Sequence, residues 1–190
     1  FGDLCAGSFD VMVRQVTRYR YEGAVRIAAE LDIRRIILHH GYVPGCSQRE
    51  GWMRRYPLFW REFLEDKPED FAFHLENHLE RDPTWLSEAI ELIGDSRVSV
   101  CLDIGHVSCF AKADPVEWIR RLGEYIGYVH LHDNHGEQDE HLALGSGTIA
   151  MEDVCSALND FAPRAIWALE ANGGDDAKVS VDWLNDHHFI

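Results

Sequence analysis

Several features that would mark a membrane or disulfide-rich protein are scarce in this sequence. No apolar run approaches the roughly 20 residues of a membrane-spanning helix, and no signal-peptide pattern opens the chain. The cysteines are five, an odd number, and none forms a Cys-x-x-Cys pair: Cys5, Cys46, Cys101, Cys109 and Cys155. That pattern favours reduced thiols over a disulfide framework. We therefore expect a cytoplasmic protein without a membrane span.

Positive charge is also scarce. Lys and Arg total 18 against 33 Asp and Glu, which gives a formal net charge of −15. The longest basic stretches are the pairs Arg34-Arg35 and Arg54-Arg55. A broad basic face that follows a nucleic acid backbone is therefore disfavoured, although bound metal ions can supply local positive charge that a residue count misses.

What the sequence does contain is a series of short apolar runs that end in histidine or carboxylate residues. The runs predict strands over 34–39, 71–76, 98–103, 126–132 and 165–170. Helices are predicted between and around them, over 15–31, 48–65, 83–93, 115–122, 151–160 and 179–186. The residues at the strand ends are His39, Glu76, Asp103, His130 and Glu170. In a parallel βα barrel these ends converge on one mouth, so the pattern predicts a metal site there.

Side-chain parity supports the predicted strands. Glu76 alternates with Leu75 and Phe73, and Asp103 alternates with Leu102 and Val100. Because successive strand residues point to opposite faces, polar or small side chains fall on one face and large apolar ones on the other. A barrel strand covered by helices on its outer face requires this division.

The number of strand-plus-helix units is smaller than a complete barrel contains. An eight-stranded barrel usually takes about 250 residues, and this chain has 190. Only five units can be counted, and no linker or internal repeat divides them. We expect residues 1–190 to form a single domain that represents the C-terminal five βα units of a longer chain, lacking about three N-terminal strands of the usual eight.

Seven short segments follow one another in the same order as the motifs of one known superfamily. They are LHHGY (38–42), LEN (75–77), CLDIGH (101–106), HLHDN (130–134), DEH (139–141), LGSG (144–147) and LE (169–170). Together they resemble the xylose isomerase-like TIM barrels, a superfamily that includes sugar phosphate isomerases and epimerases and the endonuclease IV type of apurinic endonuclease. The resemblance runs from about residue 10 to 172 and implies an α/β fold, the TIM (β/α)8 barrel.

The resemblance implies a metal site and a reaction. A divalent ion would be held by Glu76, Asp103, His130 and Glu170, and this donor set suits Mn, Mg, Co or Zn. The implied protein is a metal-dependent sugar or sugar-phosphate isomerase or epimerase of carbohydrate metabolism. It would act through an enediolate, with Glu76 and Glu170 as the acid/base pair. Its partner would be a small sugar or sugar phosphate, and a homo-oligomer is left open.

The resemblance implies His106 as a substrate contact, and His132, which lies beside the proposed ligands, is predicted as a second one. His106 resembles the histidine that contacts substrate oxygen in ketose epimerases. The arginine that those epimerases carry six residues after the metal-binding histidine is replaced here by Gly136. Their ketose specificity is therefore not transferred to this chain.

A second reading of the same residues stays open. In the endonuclease IV type, extra zinc ligands correspond to His39, His106, Asp139 and His141, which would make a zinc phosphodiesterase acting on abasic DNA. The same four residues could instead serve substrate binding or a second metal. A third alternative is a non-catalytic sugar-binding barrel, which the intact set of metal ligands argues against.

Three smaller features remain open at this stage. The loop Gly145–Gly147 could present backbone N–H groups to a phosphate, or could be only a turn. His40, His132 and His135 could contact substrate or be solvated loop residues. The aromatic residues of the segment after His39 predict a helix core, although one of them could line a sugar pocket or a dimer contact; they are Trp52, Tyr56, Phe59 and Trp60.

Overall fold

The computed structural model describes residues 4–45 and 48–190. These residues form two compact units. The first extends to Glu80 and includes Thr84–Val100, and the second comprises Arg81–Pro83 and Cys101–Ile190. That residues 1–190 form a single domain stays a prediction.

Parallel strands alternate with helices along the chain, which makes this an α/β protein. The strands are β1 (Arg35–His39), β2 (Ala72–Glu76), β3 (Val98–Asp103), β4 (Ile126–Leu131) and β5 (Ile166–Leu169). The helices are α1 (Val11–Glu30), α2 (Arg49–Leu64), α3 (Thr84–Ile93), α4 (Ile104–His106), α5 (Pro115–Leu122), α6 (Met151–Phe161) and α7 (Gly174–Asp186). All five predicted strands are confirmed, with each end within one residue of its predicted position.

Helix starts differ more from the predictions than strand ends do. Helix α1 begins four residues earlier than predicted, because the Asp10 carboxylate accepts a hydrogen bond from the Met12 N–H at 2.7 Å and caps the helix there. Helix α7 begins at Gly174 rather than at 179, and the glycines at its start conceal it because glycine disfavours helix. The predicted start of α5 is confirmed, with Asp114 as its cap and Pro115 in its first turn.

The segment after β3 is helical, which the sequence reading missed. Helix α4 continues directly into a π-helix over Val107–Ala111. The Asp103 side chain caps this segment by accepting the His106 N–H at 2.6 Å. The predicted strand-end acid therefore also begins a helix.

The first unit has an aromatic core beneath a parallel strand pair. Strands β1 and β2 are parallel, with His39 opposite Glu76. The Phe73 N–H donates to the Arg97 carbonyl just before β3. The four aromatic residues predicted as helix core lie on α2 and are buried, with Trp52 stacked on Tyr56 at 4.1 Å between ring centroids. That prediction is confirmed.

The second unit contains the parallel pair β4 and β5, in which His130 lies opposite Ala168. Its buried apolar residues include Leu102, Ile119, Val129 and Leu158. Four cysteines of the described chain carry free thiols, as predicted: Cys5, Cys101, Cys109 and Cys155. Cys46 lies outside the described residues. Among the residues that are described, no helix is both long enough and apolar enough to cross a membrane.

Candidate metal centre

Asp103 occupies the centre of a histidine–carboxylate cluster in the second unit. It ends β3 and is fully buried. The Nε2 atom of His132 lies 3.1 Å from Asp103 Oδ1 and 3.3 Å from Oδ2. Gly105 makes this approach feasible, because a Cβ atom at that position would overlap the His132 ring. The glycine of the DIGH segment is thus required by packing against the histidine that directly follows the next strand.

Three of the predicted metal ligands meet in this unit. His130 Nδ1 lies 3.6 Å from Asp103 Oδ2 and 3.2 Å from Glu170 Oε2. One ligand atom from each of the three residues lies within 4.8 Å of the others. Two carboxylates and one imidazole at this spacing are a donor set that Mn, Mg, Co or Zn accepts. The cluster could therefore hold a divalent ion.

The fourth predicted ligand, Glu76, lies in the first unit at the end of β2. Its side chain is 9% exposed, and its Oε2 lies 3.5 Å from His39 Nε2. The His39 ring in turn stacks on His78 at 5.1 Å. A cavity of about 150 Å³ is lined by both His39 and Glu76. His39 and Glu76 thus contact each other because they end two adjacent parallel strands.

The additional residues of the second reading divide between the units. In the second unit, Asp139 Oδ2 lies 3.3 Å from His106 Nε2 and 3.0 Å from His141 Nε2. The His141 ring also stacks on His132 at 4.1 Å, and ligand atoms of these two histidines and Glu170 lie within 4.8 Å of one another. Three of the four residues therefore meet, while His39 lies beside Glu76 in the first unit.

Histidine partners keep the acids of the second unit ionised. Burial alone would raise the pKa of Asp103, but hydrogen bonds from His130 and His132 hold it well below its usual range. For Asp139, burial is likewise outweighed by His106, and its pKa is lowered. A hydrogen bond from His130 lowers the pKa of Glu170 against the opposing effect of burial. Each acid can therefore act as a negatively charged ligand at neutral pH.

The same pairing acts in the opposite direction on His132. Burial lowers its pKa, but the hydrogen bond and charge of Asp103 outweigh that effect, so the pKa of His132 is above its usual value. His132 is only 1% exposed. This burial suits a residue that orients Asp103, and a direct substrate contact by His132 stays a prediction.

His40 belongs to a different kind of site, which the sequence reading missed. Its Nδ1 lies 2.6 Å from Glu80 Oε1, and neither side chain is exposed. The rings of Trp52 and Tyr56 lie 4.4 and 4.8 Å from the His40 ring. The interpretation of His40 as a solvated loop residue is therefore wrong, and so is that of His132, which is 1% exposed. His135, by contrast, is exposed and pairs with Glu140 at 3.0 Å.

Asp133 organises the glycine-containing loop that follows β4. Its carboxylate accepts backbone N–H groups from Gly145 at 3.1 Å, Gly147 at 2.9 Å and Ile149 at 3.1 Å, as well as from Asn134 at 2.8 Å. Gly147 must lack a side chain, because a Cβ would overlap Asp133 and the Asn134 carbonyl. The loop is thus a turn whose amides bind an internal carboxylate. The sequence signal that could have identified Asp133 is an acid between a strand and a glycine-rich loop.

Parallel strands that alternate with helices, with acids and a histidine at the strand ends, are typical of α/β barrels whose strand ends could hold a divalent ion. The particular family is shown by sequence comparison. The family described as "Xylose isomerase-like TIM barrel" matches residues 5–187, and the chain therefore belongs to it. The predicted superfamily and fold class are confirmed.

The matches to individual relatives span most of this chain and about two thirds or more of each relative. An uncharacterized protein of Methanocaldococcus jannaschii, MJ1311, is 29% identical over 206 residues, spanning 98% of this chain and 67% of that protein. The crystal structure of a D-tagatose 3-epimerase-like protein has a TM-score of 0.83 at 27% identity, covering 99% of this chain and 74% of that one. A Thermus thermophilus protein, TTHB071, whose crystals were soaked with ZnCl2, has a TM-score of 0.76 at 26% identity, covering 97% and 73%.

Proposed function

We propose that this protein is a divalent-metal-dependent epimerase or isomerase of a sugar or sugar phosphate. The observation that carries the proposal is the close grouping of ligand atoms from Asp103, His130 and Glu170. Similarity to a D-tagatose 3-epimerase-like protein supports the reaction class, and similarity to a zinc-soaked structure supports a metal.

Four residues would hold the ion: Glu76, Asp103, His130 and Glu170. Glu76 is included because it ends β2 as Asp103 ends β3, and because its carboxylate is almost completely buried. A buried carboxylate needs a compensating partner, and a cation provides more compensation than a neutral donor. When bound, a divalent ion would act as a Lewis acid that polarises the substrate carbonyl.

The two glutamates would act as acid and base. Proton removal next to a carbonyl requires an ionised carboxylate within reach of the carbon, and protonation of the opposite face requires a second carboxyl group that carries a proton to donate. Glu170 is suited to the first role because His130 keeps it ionised while its side chain stays 42% exposed. Glu76, next to His39, is proposed as the second.

The histidines around these acids would position them and the substrate. His132 would fix the orientation of Asp103, in the manner of residues that support metal ligands. His106, whose ring nitrogens face Asp103 and Asp139, is proposed as a contact for a substrate hydroxyl. Gly136 stands where ketose epimerases have an arginine, so the proposal does not include their specificity for ketoses. A cytoplasmic location and a homo-oligomer also stay predictions.

The first experiment measures metal content and turnover together. Elemental analysis of gently purified protein should give about one Mn, Co, Mg or Zn per chain, and a panel of ketoses, aldoses and their phosphates should then reveal one interconverted pair. Glu170→Gln should lose turnover, whereas Glu117→Gln, which removes an exposed acid on α5, should retain both metal and turnover. Metal-free protein that is fully active would refute the proposal.

A second candidate function is favoured by one specific observation. His106, Asp139 and His141 meet around a single carboxylate oxygen, as an additional metal site would require. Close to three zinc ions per chain, with cleavage of abasic DNA and no activity on sugars, would establish a zinc phosphodiesterase instead. Sugar binding without turnover in metal-loaded protein would indicate the third alternative, a non-catalytic barrel.

A further inference from the structure

Three arginines of the first unit line one cavity between α1 and α2. The cavity has a volume of about 270 Å³, and its lining includes Arg14, Arg18 and Arg55. The acid among its lining residues is Glu62. Three positive charges against one negative charge leave a local excess of two, in a chain whose formal net charge is −15. The cavity is thus opposite in charge to the chain as a whole.

Two of these guanidinium groups are held in place by carbonyl groups rather than by acids. Arg14 donates through one nitrogen to the Ser8 and Phe9 carbonyls at 2.6 and 3.0 Å. Arg55 Nε donates to the Gly7 and Ser8 carbonyls at 3.0 and 3.1 Å. Within the described residues, no carboxylate lies within ion-pair distance of either one. Their charge is therefore fixed in position and not neutralised.

The third arginine is partly compensated. Arg18 pairs with Glu62 at 2.9 Å and lies over the Phe59 ring at 5.2 Å. Mutual repulsion is also evident, because burial and the nearby charge of Arg14 lower the pKa of Arg55. An anion in the cavity would relieve this repulsion. Guanidinium groups bind phosphate through paired N–H donors, and Arg14 and Arg55 each use only one nitrogen in hydrogen bonds to the described part of the chain.

We propose that this cavity binds the phosphate group of a small organic phosphate. The volume lies just below the roughly 300–1,000 Å³ of usual ligand sites, which favours a small ligand. Val11 and Phe59 add an apolar wall that free phosphate would not need. None of the lining residues belongs to the proposed metal ligands, so the inference is independent of the catalytic proposal.

The test is calorimetric titration of the metal-loaded protein and of the same protein after chelation, using inorganic phosphate, glucose 6-phosphate and glucose. Glucose 6-phosphate should bind more tightly than phosphate, glucose should not bind here, and chelation should leave the affinity unchanged. Equal affinity for the two phosphates would assign the site to free phosphate and overturn the assignment to an organic phosphate. Binding that disappears on chelation would place the phosphate at the metal and overturn the proposal.

Substitutions locate the binding. Arg55→Gln and Arg14→Gln should each weaken binding about tenfold, the effect of one charge-assisted hydrogen bond. Arg26→Gln, which removes an exposed charge elsewhere on α1, should leave it unchanged. Glu62→Gln should strengthen binding, and this gain cannot come from a damaged fold. Equal affinities across all four variants, or no binding by the original protein at millimolar phosphate, would overturn the proposal.

Discussion

The two units use buried histidine–carboxylate contacts in different ways. In the first unit, His40 and Glu80 form a pair in which each side chain is completely buried. In the second unit, Asp103 lies beside three histidines, which are His106, His130 and His132. Two of them also contact a second acid, since His130 contacts Glu170 and His106 contacts Asp139. Asp139 contacts a fourth histidine, His141. Glu170 also keeps 42% of its side chain exposed.

The difference separates a structural contact from a site that can bind something. In the sealed pair, the Glu80 carboxylate is already held by His40 and by the His78 N–H at 2.7 Å, and neither side chain reaches solvent. The shared cluster contains more ligand atoms than any single hydrogen-bond partner uses, so an ion could take over several contacts at once. The number of partners and the remaining exposure distinguish the two, although both lie close to strand ends.

The largest effect is expected on activity, from Glu170→Gln in the cluster. Loss of the acid/base group should lower kcat by about 10²–10⁴-fold. Stability should change by less than about 1 kcal/mol, because the carboxylate is half exposed and such pairs contribute little. Turnover and thermal unfolding would be measured beside Glu117→Gln. A stable variant with unchanged kcat would remove Glu170 from the proposed mechanism.

The next largest effect is expected on stability, from Glu80→Ala in the sealed pair. Removing one partner leaves His40 buried and uncompensated, which should cost about 3–5 kcal/mol of unfolding free energy. The matched control is Glu140→Ala, which breaks the exposed pair with His135 and should lower the unfolding free energy far less. Urea unfolding measures both. Similar losses in the two variants would contradict the distinction drawn from burial.

A third prediction concerns Asp133, a buried acid that binds main-chain amides rather than histidine. Asp133→Asn should lower the unfolding free energy by about 1–3 kcal/mol, because charged acceptors are replaced by a neutral amide. Amide hydrogen exchange should accelerate at Gly145, Gly147 and Ile149. The control Asp153→Asn changes an exposed acid on α6. Unchanged exchange in the loop would show that the turn holds without the carboxylate.

The smallest effect is a pH dependence of stability that comes from Glu80. Burial raises its pKa, but His40 and the His78 N–H outweigh burial, so the folded-state pKa lies below the ordinary value of 4.5. A lowered pKa contributes stability above the ordinary value, and that contribution is lost as the pH falls through the folded-state pKa. Urea unfolding of Glu80→Gln should therefore depend less on pH in this range than unfolding of the original protein. Identical pH profiles would rule out Glu80 as a source of acid sensitivity.

The strands could be predicted from sequence because their signal is local. Alternation of large apolar and polar residues placed Glu76 and Asp103 at strand ends, and the structure has both there. The meeting of Asp103 with His130 follows from the general rule that parallel strand ends share an edge. Helix starts were less accessible, since the cap at Asp10 depends on one hydrogen bond rather than on a repeated pattern.

The partners of buried polar groups could not be predicted in this way. Glu80 pairs with a histidine 40 positions earlier, and no periodicity connects the two. The role of Asp133 depends on how a loop 12 to 16 residues later folds back. Such contacts arise from tertiary packing, so they become visible only with coordinates.

The loop gathered by Asp133 has a consequence for engineering. Its path is specified largely by main-chain donors and by two glycines without room for a side chain, Gly145 and Gly147, while Ser146 at its tip faces solvent. Substitutions at Ser146 should therefore be tolerated, and a library diversified there would vary the chemistry of the loop while its backbone stays the same. Asp133 and the two glycines are what a designer would need to keep.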